Sequence, residues 1–100
     1  MTETALQLIN KNWPDTVQPV DAAETENGIF EAVRRRLRYL LDNDMERLLH
    51  TLYRVDVPEI RVREILSTAT PDAIDASLTD LVLRRIEEKM ETRRKYGTGQ

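Results

Sequence analysis

A chain of 100 residues has room for one domain with a single core, and its 40% apolar and 33% charged residues suit a folded soluble chain rather than a disordered one. The lack of cysteine excludes a disulfide framework, a thiolate nucleophile and a cysteine-based metal site. A formal net charge of −3 removes the overall attraction that usually accompanies nucleic-acid binding, and no apolar run approaches the roughly 20 residues of a membrane span. The opening MTETALQL has neither a basic segment nor a long apolar one, so a cytoplasmic protein is expected.

The first element is a short helix carrying Ala5, Leu6, Leu8 and Ile9, capped by Thr2 or Thr4 and ending before Trp13-Pro14. From Asn12 to Asn27 two prolines, scattered acids and the absence of a sustained period describe a linker or extended arm. Trp13 is the only tryptophan, and its large apolar area makes it the anchor that pins this arm to the rest. Residues 1–27 therefore read as a short helix and arm, 28–96 as a helical bundle, and 97–100 as a frayed tail.

A helix is expected over Thr25–Asp42, because Ile29, Phe30, Val33, Leu37, Leu40 and Leu41 fall on one side of a helical wheel. It contains the basic run Arg34 to Arg38. At about 100° per residue, Arg34 and Arg36 flank the apolar stripe on opposite sides while Arg35 and Arg38 point outward, so the run makes no single patch. Phosphate binding needs charges that converge. The spacings Glu31 to Arg35 and Arg38 to Asp42 instead suit local ion pairs, each contributing tenths of a kcal/mol.

The stretch Asn43–Leu66 reads as helix, corner, helix. Asn43 with Glu46 three residues on has the form of a capping box, and Met45, Leu48, Leu49, Leu52 and Tyr53 then make an apolar stripe. Pro58 ends that helix before itself and suits the first turn of the next, where Asp56 and Glu59 repeat the capping spacing. Val62, Ile65, Leu66 and Ala69 give the second helix a buried face, with Ile60 near its start. A helix-turn-helix reading fails on the second helix, which opens with Val-Pro-Glu and holds Glu64 among its arginines.

Thr70-Pro71-Asp72 then signals the start of a long helix reaching about Lys95. Its stripe drifts: Ile74, Leu78, Leu81 and Val82 share one face, whereas Val82, Leu83, Ile86 and Met90 lie about 100° round from it. Such a helix kinks, meets two different partners along its length, or lends its second half to another chain.

Chemistry-bearing groups are sparse. His50 and Glu46 are four apart, but a metal site needs three or four ligands and no third is spaced to join them. Ser67 and Ser77 have no nucleophile context. Arg85, Lys89 and Arg93 repeat every four residues on the last helix, and Arg85, near the centre of the first-half apolar face, needs a partner for its guanidinium. Asp42, Asp44 and Asp56 are the candidates. The group reads as an internal ion-pair network, with an anion or acidic-peptide site as the alternative.

The stretches LLDNDMERLLHTLYRVDVPEIRVREIL and LTDLVLRRIEEKMETRRKY resemble a family of small, uncharacterised all-helical bacterial proteins. In that family a Leu-rich helix runs into Tyr-Arg-aliphatic-Asp, and a last helix carries spaced Arg, Lys and Arg. The matching positions are Tyr53, Arg54, Asp56, Arg85, Lys89 and Arg93, within Leu40–Tyr96. The resemblance implies an all-α cytoplasmic protein and no activity.

These observations lead to an all-α fold: a compact bundle of four main helices with a short N-terminal helix and arm. The expected role is non-enzymatic and cofactor-free, a small protein-interaction or regulatory module. It would bind a protein, itself or another, through the second half of the last helix or the Tyr39-bearing outer face. The alternative is nucleic-acid binding through Arg34–Arg38 and Arg84–Lys95.

Overall fold

The computed structural model describes residues 4–21 and 25–97, and for 93–97 the backbone alone. Over these residues the chain is all-α, with α1 Ala5–Lys11, α2 Glu26–Asn43, α3 Met45–Val55, α4 Glu59–Thr68 and α5 Ile74–Gly97. None of these helices is long and apolar enough to cross a membrane.

α1 begins at Thr4, whose hydroxyl accepts from the Gln7 N–H while the Gln7 side chain accepts from the Thr4 N–H. This reciprocal cap satisfies two of the donors that a helix start leaves open. The other expected cap, Thr2, lies outside the described residues. The arm that follows is less an arm than a piece of the core: Trp13, Val17 and Val20 are buried with Leu8 and Ile9. It is held by Asn10, whose Nδ2 donates to the Val20 carbonyl at 2.9 Å and whose Oδ1 accepts from the Val20 N–H at 2.7 Å. One side chain thus supplies partners for both backbone groups of Val20. Trp13 is the anchor its area suggested.

α2 starts after Thr25, which caps Gly28 N–H, and buries Val33, Leu37 and Leu40. It runs one residue further than expected, so Asn43 is its last residue and does not cap α3. Asn43 Nδ2 donates back to the Tyr39 carbonyl. Asp44 does the capping: its N–H closes α2 onto the Leu40 carbonyl and its carboxylate accepts from the Arg47 N–H. A single residue therefore ends one helix and starts the next, which sets the α2–α3 corner without a loop.

The α3–α4 corner also departs from expectation. Asp56 does not cap α4; it is the left-handed residue, φ 75°, that terminates α3. Its N–H bonds to the Tyr53 carbonyl and the Val57 N–H to the Leu52 carbonyl, the paired bonds of a Schellman motif. Val57 and Leu52 are both buried, completing the apolar contact that accompanies this turn. Pro58 then precedes α4 as its cap residue, with no side-chain cap, its carbonyl accepting from Arg61 and Val62 N–H. The start of α5 is likewise later than expected: residues 71–73 form a turn closed by Ala73 and Ile74 N–H on the Thr70 carbonyl, and the helix begins at Ile74.

α5 packs against all four other helices. Its buried stripe is Asp75, Leu78, Thr79, Val82 and Ile86, at i, i+3, i+4, i+7 and i+11. Ile74 and Leu81 lie on one flank of this stripe and Leu83 and Met90 on the other, all partly buried. The drift read from the sequence is therefore a division across the width of the helix, not along its length: it meets different neighbours on its two sides and remains one helix. The stripe of α3 is rotated in the same way. Leu48, Thr51, Leu52 and Val55 are buried, while Met45 and Tyr53, expected inside, are 43% and 44% exposed. In α4 only Val62 is fully buried; Ile65 and Leu66 are partly so and Ile60 is exposed.

Thr51 and Thr79 lie within these buried stripes at no cost in unpaired hydrogen bonds. Each hydroxyl donates to the carbonyl four residues back, Arg47 and Asp75 respectively. Asp75 is the buried charge among the described residues. Its carboxylate accepts from Arg34 at 3.0 Å and Arg38 at 3.2 Å, and from the Ala76 N–H at 2.7 Å. Arg38 thus does not point outward, as the wheel suggested; it reaches round α2 to Asp75, to Asp42 and to the Pro71 carbonyl. Glu31 pairs with Arg34 and not with Arg35.

Candidate functional site

The residues singled out by the sequence on the α3–α4 corner and α5 are distributed over three neighbouring features. The first is an ion-paired corner. Arg85 Nη2 donates to Asp56 Oδ2 at 3.0 Å and Arg85 Nε to the Asp56 carbonyl at 3.0 Å, while Arg85 Nη1 donates to Glu88 at 3.2 Å. Of the three candidate acids, Asp56 is the partner of Arg85; Asp42 pairs with Arg38, and Asp44 caps α3 and lies 3.6 Å from Arg47. Hydrogen bonding to Asp56 holds the Arg85 guanidinium above its ordinary pKa, against the effect of its burial and with help from Glu88. The bond to the Asp56 carbonyl ties α5 to the left-handed residue that ends α3. The corner is a docking device.

Two substitutions separate its backbone and charge contributions. Asp56→Ala is expected to cost about 1 kcal/mol, because alanine tolerates the left-handed conformation poorly. Asp56→Gly should lie within about 0.5 kcal/mol of wild type, since glycine adopts it freely and the lost ion pair is exposed on the Asp56 side. Thermal melts would rank them; equal losses would mean that the charge governs.

The second feature is the seam between α1 and α5. Lys89 is half-buried and its Nζ donates to Asn12 Oδ1 at 2.8 Å. The Asn12 amide is itself oriented by Nδ2 donating to the Leu8 carbonyl at 2.8 Å. Leu8, Lys11, Asn12, Arg85, Lys89 and Thr92 line a hollow of about 390 Å³ here. Asn12 was read as the start of a linker; its part in the seam lies 77 residues away in sequence. Tyr53 and Arg54 are exposed on α3, outside both the corner's ion pairs and this lining. The side chain of Arg93 lies outside the described residues.

The third feature was not anticipated as a unit. On the far flank of α5, Leu83, Ile86 and Met90 face Ala5 of α1 and Ile29 and Phe30 of α2 across an open groove of about 380 Å³. Its remaining lining residues are Asn27 and three acids, Glu26, Asp80 and Glu87. Each wall was visible in the sequence as part of an apolar stripe; that the stripes diverge here was not.

His50 is exposed on α3. The Ser67 hydroxyl donates to its own helix, to the Arg63 and Glu64 carbonyls. Of the basic run, Arg34 and Arg38 are held by Asp75 and Arg36 reaches the Pro19 carbonyl at 3.4 Å. No protein-family model, curated protein or solved structure was found to match the chain.

Proposed function

We propose that this chain is a small, non-enzymatic protein-interaction module of the cytoplasm whose binding surface is the groove on the second half of α5. The observation that carries the reading is the composition of that groove: an apolar wall of Ile29, Phe30, Leu83 and Met90, with Glu26, Asp80 and Glu87 as the charged lining among the described residues. Apolar residues give a partner area to bury, and acids of one sign select and orient it. The complementary partner is an amphipathic protein segment with apolar anchors flanked by lysine or arginine, laid into the groove as a helix. The Tyr39-bearing outer face, also considered from sequence, presents one large exposed ring without a comparable wall.

The test is capture from native lysate by the wild-type chain and by Leu83→Glu and Met90→Glu variants, with and without nuclease. The reading expects a protein whose capture falls at least tenfold with either substitution and is unaffected by nuclease. Equal capture by wild type and both variants would overturn it. If the partner is a second copy, light scattering gives at least twice the chain mass and Met90→Glu returns it to the monomer. The alternative, nucleic-acid binding through Arg34–Arg38 and Arg84–Lys95, predicts an affinity falling steeply with salt. It gains little from the geometry, because Arg34 and Arg38 share Asp75, Arg84 lies 3.6 Å from Asp80, and Arg85 is held by Asp56 and Glu88.

A further inference from the structure

Lys89 is held differently from three of the four half-buried arginines among the described residues. Arg34, Arg38 and Arg85 each bond at least one carboxylate. Lys89 has no carboxylate partner among the described residues; its single bond is to the neutral amide oxygen of Asn12. An ammonium has three donors, so two remain without a protein acceptor, and the partly desolvated charge is held by one neutral oxygen. Burial accordingly holds its pKa below the ordinary lysine value, repulsion from Arg85 and Arg54 adding to this and the Asp56 carboxylate opposing it. Lys89 lines the hollow of about 390 Å³ between α1 and α5 together with Leu8, Lys11, Asn12, Arg85 and Thr92.

We infer that this hollow is a binding site for a small molecule carrying a phosphate or carboxylate group, with Lys89 supplying the charge that recognises it. The anion takes the two donors that Asn12 leaves open. The Asn12 amide, fixed by its bond to the Leu8 carbonyl, holds the ammonium in place before the ligand arrives, so little side-chain entropy is lost on binding. Leu8 offers contact for the apolar part of the ligand, and the volume limits it to a small organic anion. This site is separate from the groove on the opposite flank of α5 and does not depend on it.

The rival account makes Lys89 a structural lysine that ties α5 to the last turn of α1. The experiment titrates the isotopically labelled full chain with inorganic phosphate and, separately, with acetate, each against sodium chloride of equal ionic strength. Amide chemical shifts are followed in wild type and Lys89→Gln, and both proteins are melted. The inference expects saturable shifts centred on Asn12, Lys89 and Thr92 with at least one of the two anions, and binding at least tenfold weaker in Lys89→Gln. It also expects that variant to melt at or above the wild-type temperature, because an uncompensated charge has been removed. Phosphate alone or acetate alone identifies the head group. Shifts that fail to saturate, that centre elsewhere, or that are equal in the variant would overturn the inference, as would a lowered melting temperature of Lys89→Gln without anion binding by the wild type.

Discussion

Trp13→Ala should destabilise the chain by about 3 kcal/mol, the lower end of the range for truncating a buried aromatic residue. For a domain of this size that is a fall in melting temperature of roughly 15 °C. Trp13 is 4% exposed and belongs to the same apolar cluster as Ile9, Val17 and Val20. Its loss therefore opens a cavity in the main core, not a gap under a peripheral strap. The lower end of the range applies because the segment that follows has no regular secondary structure beyond its turns, and part of the space can close. Trp13→Phe makes the argument sharper. The indole Nε1 is buried without a hydrogen-bond partner among the described residues, so phenylalanine gives up area but also removes a desolvated donor, and a loss of about 1 kcal/mol or less is expected. Circular-dichroism melts of the two variants would check this. A Trp13→Ala variant melting within about 2 °C of wild type would show that residues 12–20 are not part of the cooperative unit.

How much of this could be read before the structure depended on whether the determining contact was local. The α1 cap needs only Thr4 and Gln7, three residues apart, and the long helices follow from their apolar period. The errors in stripe direction have one physical source. Counting apolar residues treats Thr51, Asp75 and Thr79 as surface, yet a threonine that bonds its own helix presents only its methyl group to neighbours. The buried sides of α3 and α5 include these residues. Asp75 is acceptable inside only because α2 brings two arginines, 41 and 37 residues away in sequence. The α3–α4 corner failed for a different reason. Asp is both a good helix start and a tolerated left-handed residue, and the sequence weighs these equally. The choice was made by α5, whose Arg85 bonds both the carbonyl and the carboxylate of Asp56.

The same non-locality limited the candidate sites. The i, i+4 spacing of Arg85 and Lys89 was visible, and their opposite electrostatic situations were not, since one depends on Asp56 across a corner and the other on Asn12 at the far end of the chain. The groove required knowing where Ala5 of α1 and the start of α2 stand relative to Leu83 and Met90. Apolar periodicity gives the angle at which a side chain leaves its helix. Which neighbour waits there is a property of the assembled bundle.

Asp75→Ala is expected to cost about 2 kcal/mol at neutral pH, and the cost should shrink in acid. Removing one member of a buried ion pair strands the others, but both guanidiniums here keep access to water, which places the loss below the usual range for a fully buried pair. Burial pushes the Asp75 carboxyl up; Arg38, the Ala76 N–H and Arg34 together outweigh it and hold the group below its ordinary value of 3.8. A carboxyl depressed in the folded state contributes stability that is present above the unfolded value and is lost as pH falls through the folded one. Urea unfolding at pH 7 and at about pH 2.5 should therefore show the gap between wild type and Asp75→Asn narrowing in acid. A constant or widening gap would mean that Asp75 acts by shape and not by charge. Because Arg38 also holds the Pro71 carbonyl, the same substitution should lower amide-exchange protection in residues 71–78, where α2 meets the first turn of α5, before it reaches Leu83–Met90. That order would show the Arg34–Asp75–Arg38 cluster to be the clamp at one end of α5.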